Sequence, residues 1–251
     1  MDVQGKVALV MGGGSGIGRA SALALARNGA LVGVGDLVAE RAEGVASEIT
    51  EAGQPALGAA VDVTQYQQVS DLVKKTIESF DRIDILVNSA GIFPQDTVQD
   101  LEEEEWNQVI AVNLTGTFLA CKAVVGHMIA NQGGRIINIS AGHGARGIVK
   151  GSHYAASKAG VNALTKSLAL EVASHGIMVN AVAPGPVDTP LPRGGRLYTE
   201  DEKQKMGAAL PMGRMGRVED LASMVVFLAS DACQWFTGQI VYHNGGDLML
   251  G

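Results

Sequence analysis

The chain has 251 residues, of which 19 are Lys or Arg and 26 are Asp or Glu, so its formal net charge is −7. Chains of this length bury enough surface to fold without disulfides, and α/β folds of this size commonly stay single. We therefore expect one domain over residues 1–251. The acidic balance argues against nucleic acid or an anionic membrane as a partner, because both require clustered basic side chains.

The cysteines and the N-terminal residues indicate in which cellular compartment the protein is expected. Cys121 and Cys233 form neither a C-x-x-C pair nor a His-spaced zinc set, so we expect free thiols in a reducing compartment and no metal site. The first residues lack the basic segment of a signal peptide. No apolar run reaches the roughly 18 residues that span a bilayer. These features predict a soluble, cytoplasmic protein.

Short apolar runs alternate with helical stretches along the chain. Strands are predicted over residues 7–11, 31–36, 56–62, 83–88, 135–139, 178–183 and 239–242. Helices are predicted over residues 16–28, 39–52, 64–80, 101–130 and 152–174. The strands are continuous apolar runs, which is typical of a parallel sheet covered on both faces. The alternation predicts an α/β fold: a single-domain, Rossmann-type, doubly wound parallel sheet of about seven strands with helices on both faces.

The stretch 190–211 interrupts this alternation, because it is rich in Gly, Pro and charge and long for an internal loop. Loops of that length are commonly lids or binding loops, and we expect a substrate lid. Arg193 and Arg196 are candidates for reading an acidic substrate, although acidic residues at 200–202 follow directly and weaken that interpretation.

The first predicted strand runs into a glycine-rich turn, and a helix follows at once. The pattern is G-x-x-x-G-x-G, with Gly12, Gly16 and Gly18 as its glycines and Ser15 and Ile17 between them. Glycines let a backbone turn tightly and approach a pyrophosphate, and the helix N-terminus offers free N–H groups to phosphates. The turn is not a P-loop, because Arg-Ala stands where Lys-Ser/Thr is needed.

Asp36 ends the second predicted strand, 20 residues after Gly16. A carboxylate at this place accepts hydrogen bonds from adenosine ribose hydroxyls and repels a 2′-phosphate. Leu37 follows, so the sequence places no neighbouring base there to bind that phosphate. The pattern favours NAD over NADP, with capping of the next helix as the alternative role for Asp36.

Tyr154 and Lys158 lie four residues apart at the start of a predicted helix. Residues at this spacing share one helix face, so the phenol and the ammonium can point into one pocket. A nearby cation favours the phenolate, which suits a group that exchanges a proton with an alcohol or ketone. A chance surface pair is the alternative.

Several motifs together indicate a family. In chain order they are the glycine turn, Asn88-Ser89-Ala90-Gly91, Asn113, Ser140, Tyr154-x-x-x-Lys158 and Pro184-Gly185. The chain strongly resembles a short-chain dehydrogenase/reductase over nearly its whole length. The resemblance implies that Tyr154 is the general acid/base, that Lys158 lowers its pKa and holds the nicotinamide ribose, and that Ser140 binds the substrate oxygen. Asn113 would position a water that links Lys158 to solvent.

The resemblance also implies contacts along a bound dinucleotide. Asp62 and Val63 match the position that meets adenine, and the segment after the sixth strand matches the one that holds the carboxamide. Together with the glycine turn, the candidate cofactor contacts are Gly12, Ser15, Gly16, Ile17, Gly18, Asp36, Leu37, Asp62, Val63, Asn88, Ala90, Gly91, Tyr154, Lys158, Pro184, Gly185, Val187 and Thr189.

The sequence departs from the family pattern at Met11, Ser89 and Asn244, and above all in one spacing. Ser140 lies 14 residues before the tyrosine, where 13 is commoner, and counting back 13 reaches Ala141. We favour one extra residue in the loop 142–147, because loops accept insertions cheaply.

Substrate identity is less defined. An apolar pocket is suggested by Phe93, Ile148, Val149, Leu191 and Met249, and it would suit secondary alcohols, cyclic ketones or hydroxysteroid-like molecules. His143 and His153 flank the predicted site, and we favour solvated loop positions for both over substrate contact.

Two rival functions remain. One is an NADP-dependent 3-oxoacyl thioester reductase of the same family, against which Asp36 argues. The other is a non-catalytic dinucleotide-sensing scaffold, which has no need of the catalytic set. The family usually forms tetramers, so we expect a homotetramer that acts on a small alcohol or carbonyl substrate.

Overall fold

The computed structural model describes residues 2–191 and 196–250. Its strands are β1 Val7–Met11, β2 Leu31–Asp36, β3 Ala56–Ala60, β4 Ile85–Asn88, β5 Gly134–Ile139, β6 Ile177–Val182 and β7 Ile240–Val241. They form one parallel sheet in the order β3-β2-β1-β4-β5-β6-β7. The chain moves outward from β1 in one direction and then from β4 in the other. The predicted fold class is therefore confirmed.

Helices cover both faces of this sheet. They are α1 Gly16–Arg27, α2 Ala39–Glu51, α3 Tyr66–Phe80, α4 Glu103–Ile110, α5 Gly116–Ala130, α6 His143–Arg146, α7 Ser152–Val172, α8 Glu200–Ala208 and α9 Val218–Ala229. One core cluster lies between the sheet and α1, α2 and α9, and a second lies between the sheet and α3, α5 and α7. In β1, Ala8 and Val10 join the first cluster and Leu9 joins the second. Burial on both faces explains why this strand is a continuous apolar run.

Two predicted elements differ from those observed. The helix predicted over residues 101–130 begins at Glu103 and contains a π-helical turn, Ala111–Thr115, between α4 and α5. The stretch 190–211 is not a loop throughout, since it contains α8. The Thr199 hydroxyl accepts a hydrogen bond from the Glu202 N–H, and the Glu202 carboxylate accepts one from the Thr199 N–H. This capping box gives the charged stretch a reason to be helical.

The helix Glu103–Ala130 is long and apolar enough, by length and composition alone, to cross a bilayer. This corrects the expectation that no stretch reaches that length. The core helix of a globular protein passes the same test, and this helix lies against the sheet with Ala120, Val124 and Met128 fully buried. We regard it as weak evidence for a membrane.

Candidate active site

A cavity of about 420 Å³ opens at the carboxyl ends of the central strands. Its walls come from the turns that follow β1, β2, β4, β5 and β6. The strand order reverses between β1 and β4, and ligands of open α/β sheets bind at such a switch point. The fold therefore brings together side chains that lie far apart in the sequence.

The glycine turn forms one end of this cavity. Gly12 and Gly16 have φ angles of +73° and +52°, which favour glycine. A Cβ at Gly12 would lie 2.5 Å from the backbone nitrogen of Ala90, so only glycine fits there. The turn delivers the N-terminus of α1 to the cavity, where Ser15 and Ile17 join the two glycines in the wall.

Gly18 does not line the cavity as expected. A Cβ at this position would lie 2.9 Å from the carbonyl carbon of Gly12, so Gly18 lets the first turn of α1 pack on the glycine turn. Gly18 therefore affects the cavity only through the shape of the glycine turn.

Asp36 lies at the same end, at the tip of β2. Its carboxylate accepts hydrogen bonds from the Gly14 N–H at 3.0 Å and from the Val38 N–H at 3.1 Å. These donors hold it at the cavity wall beside Leu37. Arg41 lines the same wall, so the expectation that no base lies nearby is wrong. The first turn of α2 carries this arginine back towards the end of β2, which adjacency in the sequence does not reveal.

The region expected to meet adenine follows β3 and β4. Asp62, Val63, Ala90 and Gly91 all line the cavity, and so does Ser89. Asp62 accepts hydrogen bonds from the backbone N–H and the hydroxyl of Thr64 in the following turn.

Asn88 departs from its predicted role, because its side chain turns into the protein. Its amide donates to Asn138 Oδ1 at 2.9 Å and to the sulfur of Cys121 at 3.4 Å. The Asn138 amide in turn donates to the hydroxyl of Thr165 at 2.9 Å. This buried chain ties β4 to β5 and to α7, and Asn88 is not among the residues that line the cavity.

Asn113 lies in the π-helical turn, fully buried. Its side-chain oxygen accepts from the Ile92 N–H at 2.9 Å, and its amide donates to the Ile92 carbonyl and to the Ser157 hydroxyl. A Cβ at Gly91 would lie 3.3 Å from Asn113 Oδ1 and 3.7 Å from Lys158 Nζ. Asn113 Oδ1 and Lys158 Nζ therefore both border the space beside Gly91. π-Helical turns inside α-helices occur frequently at functional sites.

Tyr154 and Lys158 both line the cavity from the first turns of α7. Lys158 Nζ lies 5.9 Å from the centre of the Tyr154 ring and donates to the Ile139 carbonyl at 2.8 Å. Burial lowers the pKa of Lys158 to about 8, because the charged form loses its water. The spacing of four residues thus brings the phenol and the ammonium to one site, as predicted from helix geometry.

Ser140 follows β5 and is 3% exposed. Its hydroxyl donates to Asn162 Oδ1 at 2.6 Å and lies 3.3 Å from the Lys158 carbonyl oxygen. Both Ser140 and Ala141 line the cavity. The longer spacing before Tyr154 is taken up by the short helix α6 and by a turn in which Gly147 and Lys150 have positive φ angles.

Asn162 was not among the predicted site residues, although its spacing from Tyr154 and Lys158 could have indicated it. It lies four residues after Lys158 and eight after Tyr154, so all three share one face of α7. Its side chain holds the serine hydroxyl and therefore belongs to the site.

The segment after β6 closes the opposite wall through Pro184, Gly185, Val187 and Thr189. The Gly216 N–H donates to the Pro186 carbonyl at 2.9 Å, and the Asp188 N–H donates to the Gly216 carbonyl at 3.0 Å. This short parallel bridge fixes the segment against the chain that precedes α9.

In the described part of the stretch 190–211, charged side chains pair with one another and with neighbouring segments. Arg196 pairs with Glu202, and its hydrogen bonds lower the pKa of that carboxyl to about 2. Lys203 bridges Glu200 and Asp188 at 2.8 and 2.9 Å, which ties α8 to the segment after β6. Arg196 is therefore engaged in an ion pair within this stretch, and Arg193 lies outside the described residues.

The substrate end is apolar around the tyrosine. Phe93, Ala141 and Tyr154 form one buried cluster, against which Ile148 and Leu191 pack. Val149 and Met249 are 85% and 79% exposed and do not line this cavity, so their assignment to the pocket is wrong.

The two histidines are not solvated loop residues. His143 lies on α6 and lines the cavity, with its ring edge-on to Tyr154 at 6.2 Å between centroids. His153 is fully buried at the start of α7, with Nε2 3.3 Å from Glu105 Oε1. Only His143 is placed to contact a substrate.

This fold and this cavity define a class of dinucleotide-binding oxidoreductases, and comparisons with known proteins agree. The family model described as enoyl-(acyl carrier protein) reductase matches residues 12–247. The chain is 43% identical over 242 residues to cis-4-hydroxycyclohexanecarboxylate dehydrogenase of Sinomonas cyclohexanicum, covering 96% of each chain. It is 38% identical over 246 residues to the 3-oxoacyl-[acyl-carrier-protein] reductase FabG of Thermotoga maritima, covering 98% of this chain and 99% of the relative. The crystal structure of levodione reductase superposes with a TM-score of 0.91 at 33% identity, covering 97% of each chain.

The protein belongs to the short-chain dehydrogenase/reductase family. It is an oxidoreductase of this family, whose members use nicotinamide cofactors.

Proposed function

We propose that the protein is an NAD-dependent oxidoreductase that transfers a hydride between nicotinamide and the carbinol or carbonyl carbon of a secondary alcohol or ketone. The observation that carries this proposal is the convergence of Ser140, Tyr154 and Lys158 on the cavity that begins at the glycine turn. A scaffold that only senses dinucleotides would not need these side chains together.

The cavity fits a dinucleotide on two structural grounds. A Cβ at Gly12 would collide with Ala90, so the glycine turn packs directly on the segment after β4 and both line the cavity with their backbone. The N-terminus of α1 then offers N–H groups to phosphates. When bound, nicotinamide supplies or accepts the hydride. Pro184, Gly185, Val187 and Thr189 would hold its carboxamide end.

Tyr154 would exchange the proton with the substrate oxygen at its phenolic hydroxyl. Lys158 favours the phenolate through its charge, and Ser140 donates to the same substrate oxygen once it releases Asn162. Asn113 would connect the ammonium to solvent through a water held beside Gly91. These roles come from the family resemblance and from the positions of the side chains.

Asp36 supports NAD as the preferred cofactor. Its carboxylate is held at the cavity wall by two backbone N–H groups and is placed to accept hydrogen bonds from ribose hydroxyls. Arg41 on the same wall is a base that a 2′-phosphate would attract. The preference for NAD over NADP is therefore expected to be finite and to depend on Asp36.

The apolar cluster around Tyr154 favours a ring-bearing alcohol or ketone as substrate. One of the similar proteins is named for a ring alcohol, a hydroxycyclohexanecarboxylate. A 3-oxoacyl thioester is the second candidate, because a 3-oxoacyl-[acyl-carrier-protein] reductase is 38% identical over nearly the whole chain.

We also propose that the protein is a cytoplasmic homotetramer that forms through the helix Glu103–Ala130, α7 and the C-terminal strand. Apolar side chains on the outer faces of two of these helices support this arrangement: Phe118 is 45% exposed and Leu170 is 85% exposed. Light scattering of the purified protein would test it, and a monomer would refute it.

The experiment that tests the function begins with titration of the purified protein by NADH and by NADPH, followed through nicotinamide fluorescence. We expect NADH to bind more tightly. A panel of secondary alcohols, cyclic ketones and a 3-oxoacyl thioester is then assayed with the wild type and with Tyr154→Phe. Turnover that Tyr154→Phe abolishes while NADH still binds would support the proposal. Binding of neither dinucleotide would favour the scaffold alternative.

A further inference from the structure

Phe93 lies directly against the proposed catalytic tyrosine. The two rings stack with centroids 4.0 Å apart and an interplanar angle of 22°. Phe93 follows β4 two residues after Gly91, whereas Tyr154 belongs to α7, so the contact joins two separate parts of the chain. A Tyr ring turns about two side-chain torsions, and the second of these has a broad minimum. A flat neighbour restricts that second torsion.

The phenyl ring of Phe93 is itself held firmly. It is 3% exposed and packs in the cluster with Ala141 and Tyr154. The chain before α7 makes room for it at Gly151, where a Cβ would lie 3.0 Å from Phe93 Cε2 and 2.6 Å from Ile148 Cγ2. Gly151 has a φ of −149°, outside the left-handed region that favours glycine. Glycine is needed at this position because the phenyl ring and Ile148 occupy the space that a side chain would fill.

We propose that Phe93 is a positioning residue for Tyr154: its buried ring fixes the plane of the phenol so that the hydroxyl points to the substrate oxygen, and Gly151 is retained to leave room for that ring. This inference rests on the proposed role of Tyr154 as acid/base. The Phe93 side chain carries no group that can transfer a proton. Its effect is to hold the reacting group in a productive orientation, where small displacements are costly for catalysis.

Phe93→Leu tests the idea, because leucine keeps apolar bulk but has no flat face. We expect kcat to fall about tenfold while the Kd for NADH changes less than about twofold. The midpoint of the rising limb of the pH profile for alcohol oxidation should also move to lower pH. Loss of the phenyl face admits water and removes the negative ring face that opposes the phenolate. Phe80→Leu, a matched change in the core beside α3, should alter neither quantity.

Gly151→Ala is a second test that removes no side chain. The added methyl group would press on both Ile148 and the phenyl ring, so kcat should fall about three- to tenfold with NADH binding retained. In the double variant Phe93→Leu/Gly151→Ala, the second change should cost less than it does alone, because leucine removes the contact with the phenyl ring and leaves only the contact with Ile148. Gly44→Ala is the matched control, since nothing lies within 4 Å of a Cβ there.

The inference is overturned if Phe93→Leu and Gly151→Ala both keep wild-type kcat and pH midpoint. Should Phe93→Leu fail to fold, Gly151→Ala decides the question alone. Failure of the positioning role is distinguishable from failure of the proposed function: in the first case Tyr154→Phe still abolishes turnover, and in the second it does not.

Discussion

The dinucleotide end of the cavity is formed largely by one contiguous part of the chain, whereas its substrate end is formed by segments that lie far apart in the sequence. Gly12, Gly16 and Asp36 lie within one strand–helix–strand unit, where the glycine turn brings its backbone to the cavity. At the substrate end, Phe93 and Ser140 come from the segments that follow β4 and β5, and Tyr154 comes from the first turn of α7. Local backbone geometry is recorded in short motifs, whereas a pocket assembled from distant segments is not. The difference teaches that cofactor class is easier to infer than substrate.

The largest expected effect is at the substrate end, in Lys158→Met. Loss of the ammonium should lower turnover about a thousandfold, within the range ascribed to acid–base catalysis. The same change should raise the free energy of unfolding at pH 7 by about 1–2 kcal/mol, because a buried charge is removed at the expense of one hydrogen bond. Thermal unfolding and steady-state rates measure the two effects, and Lys166→Met on the exposed face of α7 is the control.

The stability gain should depend on pH. Burial lowers the pKa of Lys158 to about 8 from its ordinary 10.5, so the unfolded chain binds more protons than the folded chain between these values. The cost of burying the ammonium is fully present below pH 8 and disappears as pH rises through 10.5. The advantage of Lys158→Met should therefore shrink across this window. An advantage that stays constant from pH 7 to pH 10.5 would contradict the assignment.

The next effect concerns the dinucleotide end. Asp36→Asn should weaken NADH binding about ten- to hundredfold, since hydrogen bonds to a charged group contribute about 1.5–3 kcal/mol. NADPH should bind more tightly than to the wild type, because Arg41 remains at the wall and the repelling charge is gone. Fluorescence titration with both cofactors measures the ratio, and Asp71→Asn on α3 serves as control. A ratio that does not move would mean that Asp36 only caps α2.

A smaller effect separates two helical glycines, Gly18 on α1 and Gly44 on α2. Gly18→Ala should destabilise the fold by about 1–3 kcal/mol through overpacking against the Gly12 carbonyl, and NADH binding should weaken with it. Gly44→Ala, in the open interior of α2, should instead stabilise by about 0.5–1 kcal/mol. Urea unfolding of both variants checks the pair. Equal shifts of the same sign would show that helix propensity, and not packing on the glycine turn, governs Gly18.

The smallest expected effect concerns the two cysteines, which should be unreactive towards thiol reagents in the native protein. Burial raises the pKa of Cys121 to about 12 and raises the pKa of Cys233 as well. Thiolates are the reactive form, so neither cysteine should react quickly with a thiol reagent at pH 8 in the native protein, and both should react in denaturant. Rapid labelling of one thiol in the native state, traced by Cys233→Ser, would contradict this expectation.

Many of the strands and helices could be predicted because the sequence patterns that indicate them extend over only a few residues. The strands 7–11 and 31–36 were predicted with their observed bounds, since each is a continuous apolar run ended by a turn. The π-helical turn at Ala111–Thr115 was not, because it interrupts a stretch whose composition is uniformly helical. The helix α8 was missed for a different reason: its charges and glycine resemble a loop, and only the reciprocal bonds of Thr199 and Glu202 indicate a helix start.

The sequence by itself determined the parallel α/β frame, the glycine turn, and the shared helix face of Tyr154 and Lys158, because strand burial, backbone turns and helical spacing act over a few residues. Tertiary structure alone decided that Asn88 turns inward to Asn138, that Arg41 returns to Asp36 and that Phe93 stacks on Tyr154. Each of these contacts joins residues of separate elements. Their distance is fixed by how helices pack on the sheet, which no single segment specifies.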